Sequence, residues 1–188
     1  MKAIDILDTE HRIIERLLSA LETGAWMISV DEPLQSEFFT ETTDVIIGFA
    51  DYCHHKKEEG VLFKAMSDSG DEQGNNMVAA MLHEHELARS YTHALRQAAD
   101  QMKDGEQSAI SDVVYHSRHY AALLRNHIAM EDKFVFPLSS QIVPPEQQDE
   151  INQMIEKYSQ EESANGTKEK FLALIEKLEE QTFITPQG

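Results

Sequence analysis

The stretch His54-His55-Lys56-Lys57-Glu58-Glu59-Gly60-Val61-Leu62-Phe63 decides the fold, because it returns later as His127-Ile128-Ala129-Met130-Glu131-Asp132-Lys133-Phe134-Val135-Phe136. Both runs read His-x-x-x-Glu-acidic-x-x-x-Phe. Residues four apart on an α-helix are separated by about 40° of rotation and about 6 Å of rise. His54 with Glu58, and His127 with Glu131, can therefore each present a nitrogen and an oxygen to one point.

Each run is preceded by a Glu-His pair: Glu10-His11, with His11 43 residues before His54, and Glu84-His85, with His85 42 residues before His127. The separations His11 to His85 (74), His54 to His127 (73) and Glu58 to Glu131 (73) agree within one residue. A pseudo-twofold pair of helical hairpins explains the agreement. Each hairpin supplies one histidine from its first helix and a His-x-x-x-Glu pair from its second, and antiparallel packing brings all six side chains to one level of the core.

The rest of the chain fits an all-α architecture, with apolar residues at helical spacing and no alternation of the kind a sheet needs. The first helix is expected from near Asp8, with Asp8 and Thr9 as caps, to the Gly24–Val30 region. The second runs over about 34–67, the third over 71–103 and the fourth over 106–136, closed by Pro137 and the Pro144-Pro145 pair. Two further amphipathic helices, about 145–162 and 167–182, contain no histidine and are expected to cover the bundle or mediate assembly, including self-association into a homo-oligomer. The expected division is an up-down four-helix bundle with the metal site over 1–140 and a C-terminal helical extension packed on it over 141–188.

The bulk composition narrows the function. The 188 residues carry 16 basic and 34 acidic side chains, and the net charge of −18 repels phosphate backbones and anionic membranes, which argues against nucleic acid as a partner. The single cysteine, Cys53, cannot form an intrachain disulfide and lies in no redox or protease motif, so it reads as a small core residue. The N-terminal residues lack the apolar run of a signal peptide, and no stretch approaches the roughly 20 apolar residues of a membrane span. The expectation is a cytoplasmic protein with no membrane partner.

The six matched residues, His11, His54, Glu58, His85, His127 and Glu131, form a ligand set suited to iron, manganese or zinc. Glu58 and Glu131 are expected to span two ions while the histidines divide between them, leaving positions open to a small molecule. Because the two carboxylates offset only part of two divalent charges, a bridging oxide or hydroxide is expected as well. A metal-free core holding these groups would be costly to desolvate.

The chain resembles the hemerythrin-like family, also called the HHE cation-binding domain. The resemblance covers roughly residues 5–140. It rests on Glu10-His11-Arg12-Ile13-Ile14, His54-His55-Lys56-Lys57-Glu58-Glu59 with Leu62-Phe63, Glu84-His85-Glu86 with Arg89, and His127-Ile128-Ala129-Met130-Glu131-Asp132 with Phe136-Pro137. It implies an up-down four-helix bundle around a non-haem, carboxylate-bridged di-iron centre that handles dioxygen, peroxide or nitric oxide, or senses iron. Oxygen-carrying members place a further histidine one turn after the third-helix ligand, where this chain has Arg89. Their last carboxylate is an aspartate five residues after its histidine, whereas here Glu131 stands at +4 and Asp132 at +5. Oxygen carriage is therefore disfavoured relative to centres with four histidines and two carboxylates.

Four further residues are candidates for roles around the site: Tyr120 as a ligand or electron relay, His116 or His119 as a replacement fifth ligand, and Arg89, one turn after His85, as an extra ligand or a residue supporting the ligands. His55, His83 and His93 read as surface or boundary residues, with His55 rotated about 100° from His54 on an α-helix. A ferritin-like di-metal oxidase is the alternative fold reading, but its Glu-x-x-His pairs precede none of the four histidines. A peroxide- or nitric-oxide-reducing enzyme and a regulatory metal-sensing module remain open as functions.

Overall fold

The computed structural model describes residues 1–183, and among these there are six helical rods and no strand. The first, α1 (Lys2–Ser29), starts six residues before the expected cap. Ala3 and Leu7 are buried on the same face as the later apolar residues, and the free amide of Ala3 donates to Asn152 Oδ1 at 2.9 Å. The first-turn donor is thus satisfied by a distant helix, and Asp8 and Thr9 lie inside α1 rather than at its end.

Rod α2 (36–68) is helical throughout but changes pitch. It is α-helical over Ser36–Val45, π-helical over Ile46–His55 and Glu58–Leu62, and α-helical again over Phe63–Asp68. Rod α3 (Glu72–Lys103) is capped by Asp71, whose side chain accepts from the Gly74 amide at 2.7 Å. Rod α4 (109–142) comprises Ala109–Met130, a π turn over Glu131–Val135 and Phe136–Ile142.

Pro137 does not stop α4, contrary to expectation. The wider π turn over Glu131–Val135 stands directly before Pro137 and takes up its ring and its missing N–H without ending the rod. The helix ends at Val143, which is extended ahead of Pro144. Rods α5 (Pro145–Ala164) and α6 (Thr167–Gln181) follow, separated by Gly166 at φ 67°.

The core has two apolar parts. One contains Leu17, Phe38, Phe49, Leu95 and Leu124 and receives Phe171, Ile175 and Leu178 from α6. The other contains Leu7, Phe63, Met81 and Phe136 and receives Ile151 and Ile155 from α5. In each of the first four rods the residues between these clusters are the predicted histidines and glutamates. The bundle is therefore two oily ends separated by one buried polar layer.

Candidate metal centre

All six predicted ligands meet in that layer, and each is at most 2% exposed. His11 comes from α1, His54 and Glu58 from α2, His85 from α3, and His127 and Glu131 from α4. Glu58 lies at the hub, with its oxygens 3.2 Å from His54 Nε2, 3.7 Å from His11 Nε2 and 3.6 Å from His85 Nε2. Glu131 bridges the other way, 3.2 Å from His11 Nε2 and 3.3 Å from His127 Nε2. The Nε2 atoms of His85 and His127 face one another at 2.9 Å.

The orientation of the rings is set from behind. His54 Nδ1 meets Glu10 at 3.0 Å and His127 Nδ1 meets Glu84 at 2.8 Å, so in each hairpin the glutamate of the Glu-His pair holds the histidine on the next helix. His85 Nδ1 meets Glu59 and His11 Nδ1 meets Asp132, both at 2.7 Å, so the acid that follows each ligand glutamate holds a histidine of the other hairpin. A carboxylate at Nδ1 keeps the proton there and leaves the Nε2 lone pair facing inward, the arrangement that metal-ligating histidines use. These four acids were not among the expected site residues. Their signal was present in the sequence, because each is duplicated at the same offset from its histidine or glutamate.

The π segments change which residues face the centre. A wider i→i+5 turn rotates less per residue than an α turn, so neighbouring positions can share a face. His55 is consequently buried beside His54 at 2% exposure, not at the boundary where α-helical geometry would put it. Its ring stacks on His85 with centroids 3.8 Å apart. His83 and His93 are exposed, as expected.

The remaining candidates are not brought to the centre. His119 is exposed, its Nδ1 donating to the Tyr115 carbonyl at 2.7 Å and its ring lying 3.9 Å from that of Tyr115. His116 neighbours Tyr91 and Tyr115. Eleven residues from His127 amount to about 16 Å of rise, too far for a side chain to close. Tyr120 is buried in the apolar core, where desolvation pushes its hydroxyl pKa up, and it lines a cavity that reaches His55. Arg89 is no ligand: its guanidinium donates to Asp51 at 2.6 Å and to Glu59 at 2.8 Å.

The electrostatics of the layer call for positive charge. Burial opposes ionisation of Glu58 and Glu131, as does their mutual repulsion, yet the facing imidazoles outweigh both and keep the pair ionised. Burial likewise opposes charging His11, but Asp132, Glu131 and Glu58 hold its pKa well above the ordinary value. His127 is raised to about 10 against its own burial by Glu131 and Glu84. Protons on these imidazoles compensate the buried carboxylates when no cation does.

Both oxygens of Glu58, both oxygens of Glu131 and His11 Nε2 are buried without a hydrogen-bond partner. Orphaned acceptors in a dry core are expensive unless something electropositive meets them. Ligand atoms of His11, His54, Glu58 and Glu131 lie within 4.8 Å of one another, and so do those of His55, Glu58, His85 and His127. A buried set of imidazoles and carboxylates converging in this way fits a metal cation.

Fold and site together define a metal-binding helical bundle. The family model for the hemerythrin HHE cation binding domain matches residues 2–139, and the chain belongs to that family. The chain is also 21% identical over 169 residues to three mycobacterial proteins: the uncharacterized proteins Rv1995 and MT2051 of Mycobacterium tuberculosis and Mb2018 of Mycobacterium bovis. These alignments cover 90% of the chain but 64% of each relative's length. No solved structure gives a significant match. Among the described residues no helix is long and apolar enough to cross a membrane.

Proposed function

We propose that the polar layer holds two metal ions, iron in the native protein, with His11, His54, Glu58, His85, His127 and Glu131 as ligands. The observation that carries this reading is the sharing of Glu58 between two convergent groups while all four oxygens of Glu58 and Glu131 are buried without a hydrogen-bond partner. Metal typical of the family would supply redox chemistry and open positions for a small ligand. The chain's own residues fix the imidazoles through Glu10, Glu59, Glu84 and Asp132 and keep the layer dry between two apolar clusters.

The ligand this centre handles is nitric oxide, peroxide or iron itself in preference to dioxygen held for storage. Glu131 supports that choice, because it stands four residues after His127, whereas oxygen carriers place their last carboxylate as an aspartate at five, and Asp132 at that position is committed to His11 Nδ1 and Arg12. Metal analysis of protein grown with iron tests the two-metal reading, and one metal ion or fewer per chain overturns it. Turnover of peroxide or nitric oxide that is lost in Glu58→Ala and Glu131→Ala marks an enzyme. Stoichiometric binding without turnover marks a sensor or iron carrier.

A further inference from the structure

Three of the positions at which the internal repeat is broken around the centre are bonded to one another. At the offsets that superpose the two halves, Asp51, His55 and Arg89 correspond to Leu124, Ile128 and Glu15. His55 Nδ1 donates to Asp51 Oδ1 at 3.4 Å, and the same oxygen accepts from Arg89 Nε at 2.9 Å and Nη2 at 2.6 Å. Arg89 Nη2 also donates to Glu59, the acid that orients His85. One guanidinium thus holds the carboxylates behind two stacked imidazoles.

His55 shares with the four histidines of the repeat a carboxylate at Nδ1, which leaves its Nε2 for another partner. That Nε2 is buried and has no hydrogen-bond partner. A ligand atom of His55 lies within 4.8 Å of those of Glu58, His85 and His127. A histidine retained only for packing would satisfy its second nitrogen or be replaced by an apolar residue, as at Ile128 in the other half.

Resting on the two-metal reading above, we propose that His55 is a fifth nitrogen ligand, so that His55, His85, His127 and Glu58 surround one ion and His11, His54, Glu58 and Glu131 the other. Asp51 and Arg89 are its positioning residues. The nitrogen missing at position 89 is supplied from α2 instead, and Arg89 has become part of the support that aims it. The two metal positions are consequently unequal, with three imidazoles at one and two at the other.

Proton NMR of the reduced, iron-loaded protein tests this without any substitution. Each ligating imidazole here keeps its Nδ1–H in a bond to a carboxylate, so its proton gives one strongly shifted, exchangeable signal. Five such signals are expected, and four overturn the proposal. In 57Fe-loaded protein, His55→Gln is expected to change the Mössbauer quadrupole splitting of one iron and leave the other unmoved. Imidazole diffusing through the cavity of about 220 Å³ beside His55 is expected to restore the native spectrum to His55→Ala. Two irons with both splittings unchanged in His55→Gln overturn the role of His55 while leaving the two-metal reading intact. A native protein that binds one iron or fewer overturns both.

Discussion

Lys57 Nζ donates to Glu10 Oε1 at 2.7 Å, and both side chains are withdrawn from water. The same ammonium donates to Glu162 of α5 at 2.7 Å, while the other oxygen of Glu10 meets His54. Burial works against the charge of Lys57, but the two carboxylates outweigh it and raise its pKa. A chain of bonds therefore runs from the C-terminal extension through Lys57 and Glu10 to a proposed metal ligand.

Removing that ammonium leaves Glu10 buried and short of a partner. Lys57→Met is expected to cost about 3 kcal/mol in urea unfolding, as breaking a buried ion pair does. The companion variant Glu162→Gln keeps a hydrogen-bonding partner for Lys57 and should cost less. Equal losses in the two variants would contradict this account.

Metal and protons compete for the same nitrogens. The pKa of His127 is raised to about 10, so at neutral pH its imidazole is protonated in the metal-free fold. Because the folded value exceeds the ordinary 6.5, this charge stabilises the metal-free protein fully below that value, and the contribution is lost as pH rises through about 10. Metal affinity runs the opposite way and increases over the same window, with about one proton from His127 and a further contribution from His11 released per chain on loading at neutral pH. Indicator titration of proton release, with thermal melts of chelator-treated protein between pH 7 and pH 10, checks both signs. Metal uptake without proton release would show that the imidazoles are already neutral.

Gly48 is where α6 seats on the bundle. A Cβ there would lie 2.1 Å from Phe171 Cζ, so Gly48→Ala must push the ring out of its place against Phe49. Overpacking of this kind costs about 1–3 kcal/mol. We expect lower stability and faster proteolysis in the turn at Asn165-Gly166, with metal content unchanged. Loss of metal in this variant would mean that α6 docking and the centre are coupled.

Cys53 lies next to His54 but faces the apolar core. Desolvation, reinforced by the negative charge of Glu162, pushes its thiol pKa up to about 11. It is expected to resist a thiol reagent at pH 8 in the folded protein and to react fully in denaturant. Rapid reaction of the native protein would show that this part of α2 opens readily.

Much of the centre was legible because duplication repeats spacing as well as residue type. His11, His54, Glu58, His85, His127 and Glu131 stand out as three matched pairs, and the Glu-His and Glu-acidic neighbours that orient them repeat at the same offsets. His55 was not legible, because it has no counterpart in the other half and α-helical geometry turns it away from the site. Pro137 misled for a related reason: its meaning depends on whether the preceding turn is α or π. The early start of α1 was hidden because Asn152, some 150 residues away in sequence, satisfies its first turn.

By itself the sequence determined an all-α bundle of two related hairpins with one level of histidines and glutamates in its core, since a period of 3.6 and a repeat of 73 or 74 residues survive any detail of packing. Only the tertiary structure decided which further side chains join that level. Helix pitch is a cooperative outcome of packing among α2, α4 and their neighbours, and a change from α to π over a few residues turns His55 into the centre and lets α4 run on past Pro137.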